Sequence, residues 1–157
     1  MNLPPFQALL DEYRGDVYRF CVASAGPGEA DDCAQETWIA ALRAYPELRR
    51  ADNLRAWLIR IAQNKAIDLH RARLRRPVAV EGVGDTAAPP PAGPSNGEPE
   101  LWAAVRELPP KQRTAVFCRT VLDMPYSELA LLLESSEDAA RRNVFEGLKT
   151  LREDWTP

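Results

Sequence analysis

Residues 77–99, PVAVEGVGDTAAPPPAGPSNGEP, divide the chain. The stretch holds six prolines, four glycines and no periodic apolar face. Such a segment cannot bury enough apolar surface to pack as an element. It also carries acids but no base. The expected organisation is therefore two short units, 1–76 and 100–157, joined by a flexible acidic linker. Neither unit shows the alternation of a strand, so the expected fold class is all-α, two small helical domains.

The first unit reads as three helices. Pro5–Ala23 carries Phe6, Leu9, Leu10, Tyr13, Val17 and Phe20 at helical spacing, and the turn Gly26–Glu29 follows it. Glu29–Tyr45 is the second helix, with Trp38, Ile39 and Leu42 expected to face inward. Asp31 and Asp32 lie in its first turn, where negative charge suits the helix dipole. Pro46 stops it, and a loop, Pro46–Asp52, leads to a third helix capped by Asp52 or Asn53. The second unit reads as four shorter helices: Leu101–Glu107, Pro110–Leu122, Tyr126–Leu133 and Glu137–Glu153. Pro109, Pro110 and Pro125 mark starts. The last two helices, joined by Glu134-Ser135-Ser136, have the size and spacing of a helix-turn-helix.

Charge is concentrated on the third helix. Arg49–Arg76 holds nine Lys and Arg against two acids, a formal +7, while the whole chain is −3. That is the footprint of a polyanion-binding element. Leu54, Trp57, Leu58, Ile61 and Ala62 form an apolar stripe expected to pack on the first two helices. Arg60, Asn64, Ile67 and Arg71 fall at i, i+4, i+7 and i+11 on a neighbouring face. An amide can read a base edge while arginines hold phosphates on either side. Arg71, Arg73, Arg75 and Arg76 carry the charge to the helix end, where the dipole also favours cations. The residues alone leave blander readings open: a solvated basic terminus, Trp57 as core, and Lys65, Asp68 and Arg71 as helix ion pairs worth roughly a few tenths of a kcal/mol.

Other classes find little support. Cys21, Cys33 and Cys118 are odd in number and form no CxxC pair, and His70 is the one histidine. A closed zinc site usually takes four ligands, so no metal or other cofactor is expected, and the thiols read as buried and reduced. No catalytic constellation is visible, so no enzyme is expected. No apolar run approaches a membrane span, and MNLPPFQALLDEYRGD lacks the pattern of an export signal; a cytoplasmic protein is the expectation.

The motifs resemble a known family. DDCAQETWIAALRAY (Asp31–Tyr45) followed by NLRAWLIRIAQNKAIDLHR (Asn53–Arg71) is similar to region 2 of bacterial RNA polymerase sigma factors of the extracytoplasmic-function group. ELPPKQRTAVFCRTVLDMPYSELALLLESSEDAARRNVFEGLKTLRE (Glu107–Glu153) resembles their region 4. The resemblance implies a three-helix region 2 at 1–76, an interdomain linker at 77–99 and a four-helix region 4 at 100–157. It implies two partners, core RNA polymerase and promoter DNA, and an anti-sigma factor as a candidate third. It places polymerase binding on Asp32, Gln35, Glu36 and Trp38. It places −10 element binding on Asn53, Arg55, Arg60, Asn64, Ile67, Arg71, Arg73, Arg75 and Arg76, with the loop Pro46–Asp52 matching the segment that captures a flipped base. It places −35 element binding on Arg141, Arg142, Phe145 and Lys149.

Region 4 departs from the family pattern. The helix-turn-helix turn normally carries glycine where this chain has Glu134. A non-glycine residue in a left-handed turn costs about 1 kcal/mol, so a shifted turn is expected. Ala140, Val144, Leu148 and Leu151 form the expected buried face of the last helix. Glu137–Asp154 holds four bases against five acids, and Glu146 lies close to the outward face. Phosphate affinity scales with the cations engaged, so −35 binding is expected to be weak. A second reading follows: a sigma-like protein that binds polymerase or a regulator without recognising promoters by itself.

Overall fold

The structure, a computed structural model, describes residues 3–49, 53–75 and 99–154. The described elements are all helices: α1 (Phe6–Ala25), α2 (Ala30–Ala44), a 3₁₀ turn (Tyr45–Glu47), α3 (Leu54–Arg75), α4 (Pro99–Glu107), α5 (Pro110–Thr120), α6 (Tyr126–Leu133) and α7 (Glu137–Asp154). The expected all-α class with a three-helix and a four-helix unit is what forms. The linker reading falls on residues outside those described, except Pro99, which opens α4.

Gly26 ends α1 at φ 94°, a value that favours glycine, and its N–H bonds the Val22 carbonyl at 3.0 Å. That turn folds α2 back along α1. The buried face of α2 is Ala30, Cys33, Thr37 and Ala41, a row of small residues. Ile39 and Leu42, expected inside, are 44% and 56% exposed. Small side chains let the three helices approach closely, and that row displaces the larger apolar residues to the outside. Phe6 packs edge-on against Trp38 and Tyr45, and the Tyr45 hydroxyl donates to the Pro4 carbonyl.

In the second unit, Arg113 is buried; its Nη1 donates to the carbonyls of Arg106 (3.1 Å) and Leu108 (3.3 Å). This guanidinium closes the C-terminal end of α4, where carbonyls lack helical partners. Burial, and then the nearby Arg106, push it below the usual arginine range. Ala140, Val144 and Leu151 of α7 are buried and Leu148 is half-buried. Gly147 lies on that face against α5: a Cβ there would stand 2.5 Å from Val116 Cγ2. Ser136 Oγ accepts the Ala139 N–H at 3.0 Å and caps α7. The turn before it has not shifted. Glu134 takes the left-handed conformation (φ 56°, ψ 49°), and Ser135 N–H closes on the Ala130 carbonyl at 3.0 Å.

The two units pack on each other, α1 against α4 and α5, and α3 against α5 and α6. Phe20 and Phe117, both fully buried, meet edge to face at 5.7 Å across the seam. The apolar core is continuous through that contact. With partners on two sides, α3 buries Leu54, Ala56, Leu58, Ile59, Ala62 and Ala66. Trp57 and Ile61, expected in a single stripe, are only half-buried. Ala56, Ile59 and Ala66 take buried places that a one-sided helix would not need. All three thiols are free and buried. Cys21 is held above the usual thiol range by its hydrogen bond with Cys33 and by burial, Cys118 by burial, with Arg55 acting against the rise.

Candidate nucleic-acid interface

The cationic face of α3 divides into two lengths. Toward its C-terminal end, Asn64, Arg71, Arg73 and Arg75 are exposed and Ile67 is half-buried beside them. Arg73 lies 3.7 Å from Glu29, a solvent-facing pair of small energetic weight. Arg76 lies outside the described residues. This length keeps its cations and its amide toward solvent, as the sequence pattern expected.

The N-terminal length differs. Asn53 is exposed and left-handed (φ 53°), and its carbonyl accepts the Trp57 N–H at 3.2 Å. Asn53, Trp57 and Arg60 line a cavity of about 220 Å³ with Leu48 from the preceding loop. The rest of that loop, 50–52, is outside the described residues. Leu131 of α6 borders the same cavity. Arg60 points at the C-terminal end of α6, donating from Nε to the Leu132 carbonyl (3.2 Å) and from Nη2 to the Leu131 carbonyl (2.5 Å), with Nη1 3.2 Å from Glu134 Oε2. Arg55 makes a two-point bond to Glu128: Nε to Oε2 and Nη2 to Oε1, each 2.8 Å. Its Nη1 also reaches the Leu122 carbonyl at 3.3 Å and lies 3.7 Å from Asp16. The Glu128 hydrogen bonds hold the Arg55 guanidinium above the usual arginine range. Thus two of the expected DNA-binding arginines, Arg55 and Arg60, are engaged by the second unit. Their partners Glu128 and Glu134 were not foreseen, because nothing local in the sequence pairs residues more than seventy positions apart.

On α2, Asp32, Gln35 and Glu36 are exposed and Trp38 is half-buried. Gln35 and Trp38 line a groove of about 980 Å³ between α1 and α2, with Leu10, Tyr18 and Ile39. The unexpected exposure of Ile39 belongs to this groove, and Leu42 lies exposed on the same helix. A polar rim beside exposed apolar side chains has the chemistry of a protein-binding surface.

On α7, Arg141, Arg142, Phe145 and Lys149 are all exposed, Phe145 at 61%. Arg141 lies near Asp138 (3.4 Å) and Glu137 (3.8 Å) and over the Tyr126 ring at 4.8 Å. Arg142, Phe145 and Lys149 share one outward face, with Glu146 exposed beside it. Among the described residues no cluster of His, Cys, Asp and Glu could hold a metal ion.

Residues 9–76 match the family Sigma-70 region 2, and residues 99–151 match Sigma-70, region 4. The chain is similar to the ECF RNA polymerase sigma factor SigD of Mycobacterium bovis, 31% identical over 159 residues, covering 93% of this chain and 74% of that protein. It is 30% identical over 155 residues to the ECF RNA polymerase sigma factor SigG of Mycobacterium tuberculosis, covering 80% of this chain but only 42% of that relative's length. Its fold is similar to that of the sigma factor RpoE from Bartonella quintana, solved in complex with the anti-sigma factor NepR. The TM-score is 0.71 at 21% identity, over 96% of each chain.

Proposed function

The chain belongs to the extracytoplasmic-function group of RNA polymerase sigma factors, and on that premise we propose that it binds core RNA polymerase and directs it to promoters. Region 2, residues 1–76, binds polymerase through Asp32, Gln35, Glu36 and Trp38 on α2. It opens the −10 element with Asn53, Arg55, Arg60, Asn64, Ile67, Arg71, Arg73, Arg75 and Arg76. Residues 77–99 link it to region 4, residues 100–157, which meets the −35 element through Arg141, Arg142, Phe145 and Lys149. Catalysis belongs to the polymerase, and the chain is not itself an enzyme. It works in the cytoplasm, and among the described residues no helix is long and apolar enough to cross a membrane. An anti-sigma factor, the partner with which RpoE of Bartonella quintana was solved, is a further candidate for the exposed groove between α1 and α2.

The observation that carries this reading is the line of exposed cations and amide on α3, running from a small cavity beside the loop at Leu48. A flipped base costs a few kcal/mol of stacking. A cavity bordered by Asn53, Trp57 and Arg60 offers hydrogen bonds and an aromatic face in return. Run-off transcription with purified core polymerase on genomic promoters tests the reading, with initiation dependent on the chain as the expected result. Asn64→Ala is expected to lower that transcription while leaving polymerase affinity unchanged. An equal loss of polymerase in a pull-down would overturn the assignment of Asn64. The acidic balance of α7 supports one second reading, a sigma-like protein that binds polymerase without independent promoter recognition. Retained polymerase binding with no initiation on any promoter would select it.

A further inference from the structure

Helix α6 and the turn after it pack against the N-terminal length of α3, the helix read as facing DNA. Tyr126–Ser136 carries two acids, Glu128 and Glu134, and no base. Both carboxylates face arginines of α3. The Leu131 and Leu132 carbonyls, at a helix end that bears partial negative charge, accept from Arg60 Nη2 and Nε. A guanidinium fork binds a carboxylate in much the geometry in which it binds a phosphate. Beside these anionic groups an apolar side chain, Leu131, borders the cavity lined by Asn53 and Trp57.

We propose that the segment from Glu128 to Glu134 is an intramolecular stand-in for the single-stranded −10 element, its two carboxylates and two carbonyls occupying phosphate positions and Leu131 closing the base cavity. The inference rests on the reading of α3 as the −10 face. It also gives a role to the glutamate at the left-handed turn. Glu134 accepts a left-handed backbone (φ 56°) and stands 3.2 Å from Arg60. A glycine would relieve the backbone and leave Arg60 without that carboxylate. The mimicry covers only the upper half of α3. Asn64 and Arg71 remain exposed, so a strand can engage the open half first and then displace α6 from Arg60 and Arg55. Because the occupied form cannot hold both ligands, apparent DNA affinity is lowered by the fraction of chains in which α6 has let go.

The test uses the full chain without polymerase. Binding of a fluorescent mixed-sequence single-stranded 15-mer is measured by anisotropy, with dyes on α2 and α7 reporting the distance between units. Glu128→Gln with Glu134→Gln is expected to lengthen that distance and to tighten DNA binding about tenfold. Glu134→Gln alone changes a mostly exposed side chain and should fold without difficulty; it is expected to tighten binding by no more than about twofold. Adding DNA to the wild-type chain is expected to lengthen the same distance. The proposal is overturned if the double variant opens without binding DNA more tightly, or if neither variant opens. Run-off transcription stands apart from this result: loss of the mimicry with initiation intact rejects only the stand-in, and loss of initiation rejects the sigma reading itself.

Discussion

The two helices proposed to face DNA are treated in opposite ways. Helix α3 is densely cationic, and its upper arginines are held by carboxylates and carbonyls of the other unit. Helix α7 is slightly acidic, and its expected DNA-binding residues are all exposed. The more cationic face is the one partly covered. A concentrated positive surface attracts any polyanion without regard to sequence. Covering part of it with the chain's own acids lowers that indiscriminate attraction. A weakly attractive helix needs no cover. Exposure in the free chain is therefore a poor guide to which helix contributes most to binding.

The contrast can be broken most severely from the α7 side. Gly147→Val places side-chain atoms where even a Cβ would be 2.5 Å from Val116. It is expected to destabilise the chain by about 3 kcal/mol through overpacking, measured by thermal unfolding. Next in size is Glu128→Gln, which removes the charge opposite Arg55. Loss of a charge-assisted, part-buried bond is expected to lower stability by roughly 2 kcal/mol, read from the denaturant midpoint. An unchanged midpoint would mean that the Arg55–Glu128 bond adds nothing to the cover on α3. The smallest effect is expected from Glu134→Gly. It relieves about 1 kcal/mol of left-handed strain and gives up an exposed ion pair worth only some tenths of that. The melting temperature should rise by about 2 °C, while the oligonucleotide binds more tightly. A fall in melting temperature would mean that the Arg60 contact outweighs the backbone strain.

Much of this fold was legible before any coordinates. Prolines at 5, 46, 109, 110 and 125 punctuate the helices near their observed ends. The outward face of α7 followed from its spacing alone. Helix α2 was misread for a physical reason: hydropathy selects Ile39 and Leu42, but close helix approach selects Ala30, Cys33 and Ala41. Helix α3 was misread because a single stripe assumes a single packing partner, and α6 supplies a second. The sequence marks Glu134 as a costly residue for its turn. What offsets the cost, Arg60, lies on another unit, and no local pattern joins the two. The exposed end of α3 was readable, whereas the occupation of its other end is a tertiary fact.

The buried thiols carry a practical consequence. Cys118 is fully buried, and it lies close enough to Arg55 and Asp16 of the first unit for their charges to act on it. Its thiol is held mostly protonated by burial, which makes it a slow nucleophile toward alkylating reagents. A parting of the units that uncovers that sulfur would admit water and reagent to it. Where parting of the units uncovers it, the rate of Cys118 alkylation, resolved from that of Cys21 and Cys33, becomes a clock for that motion in the unlabelled chain.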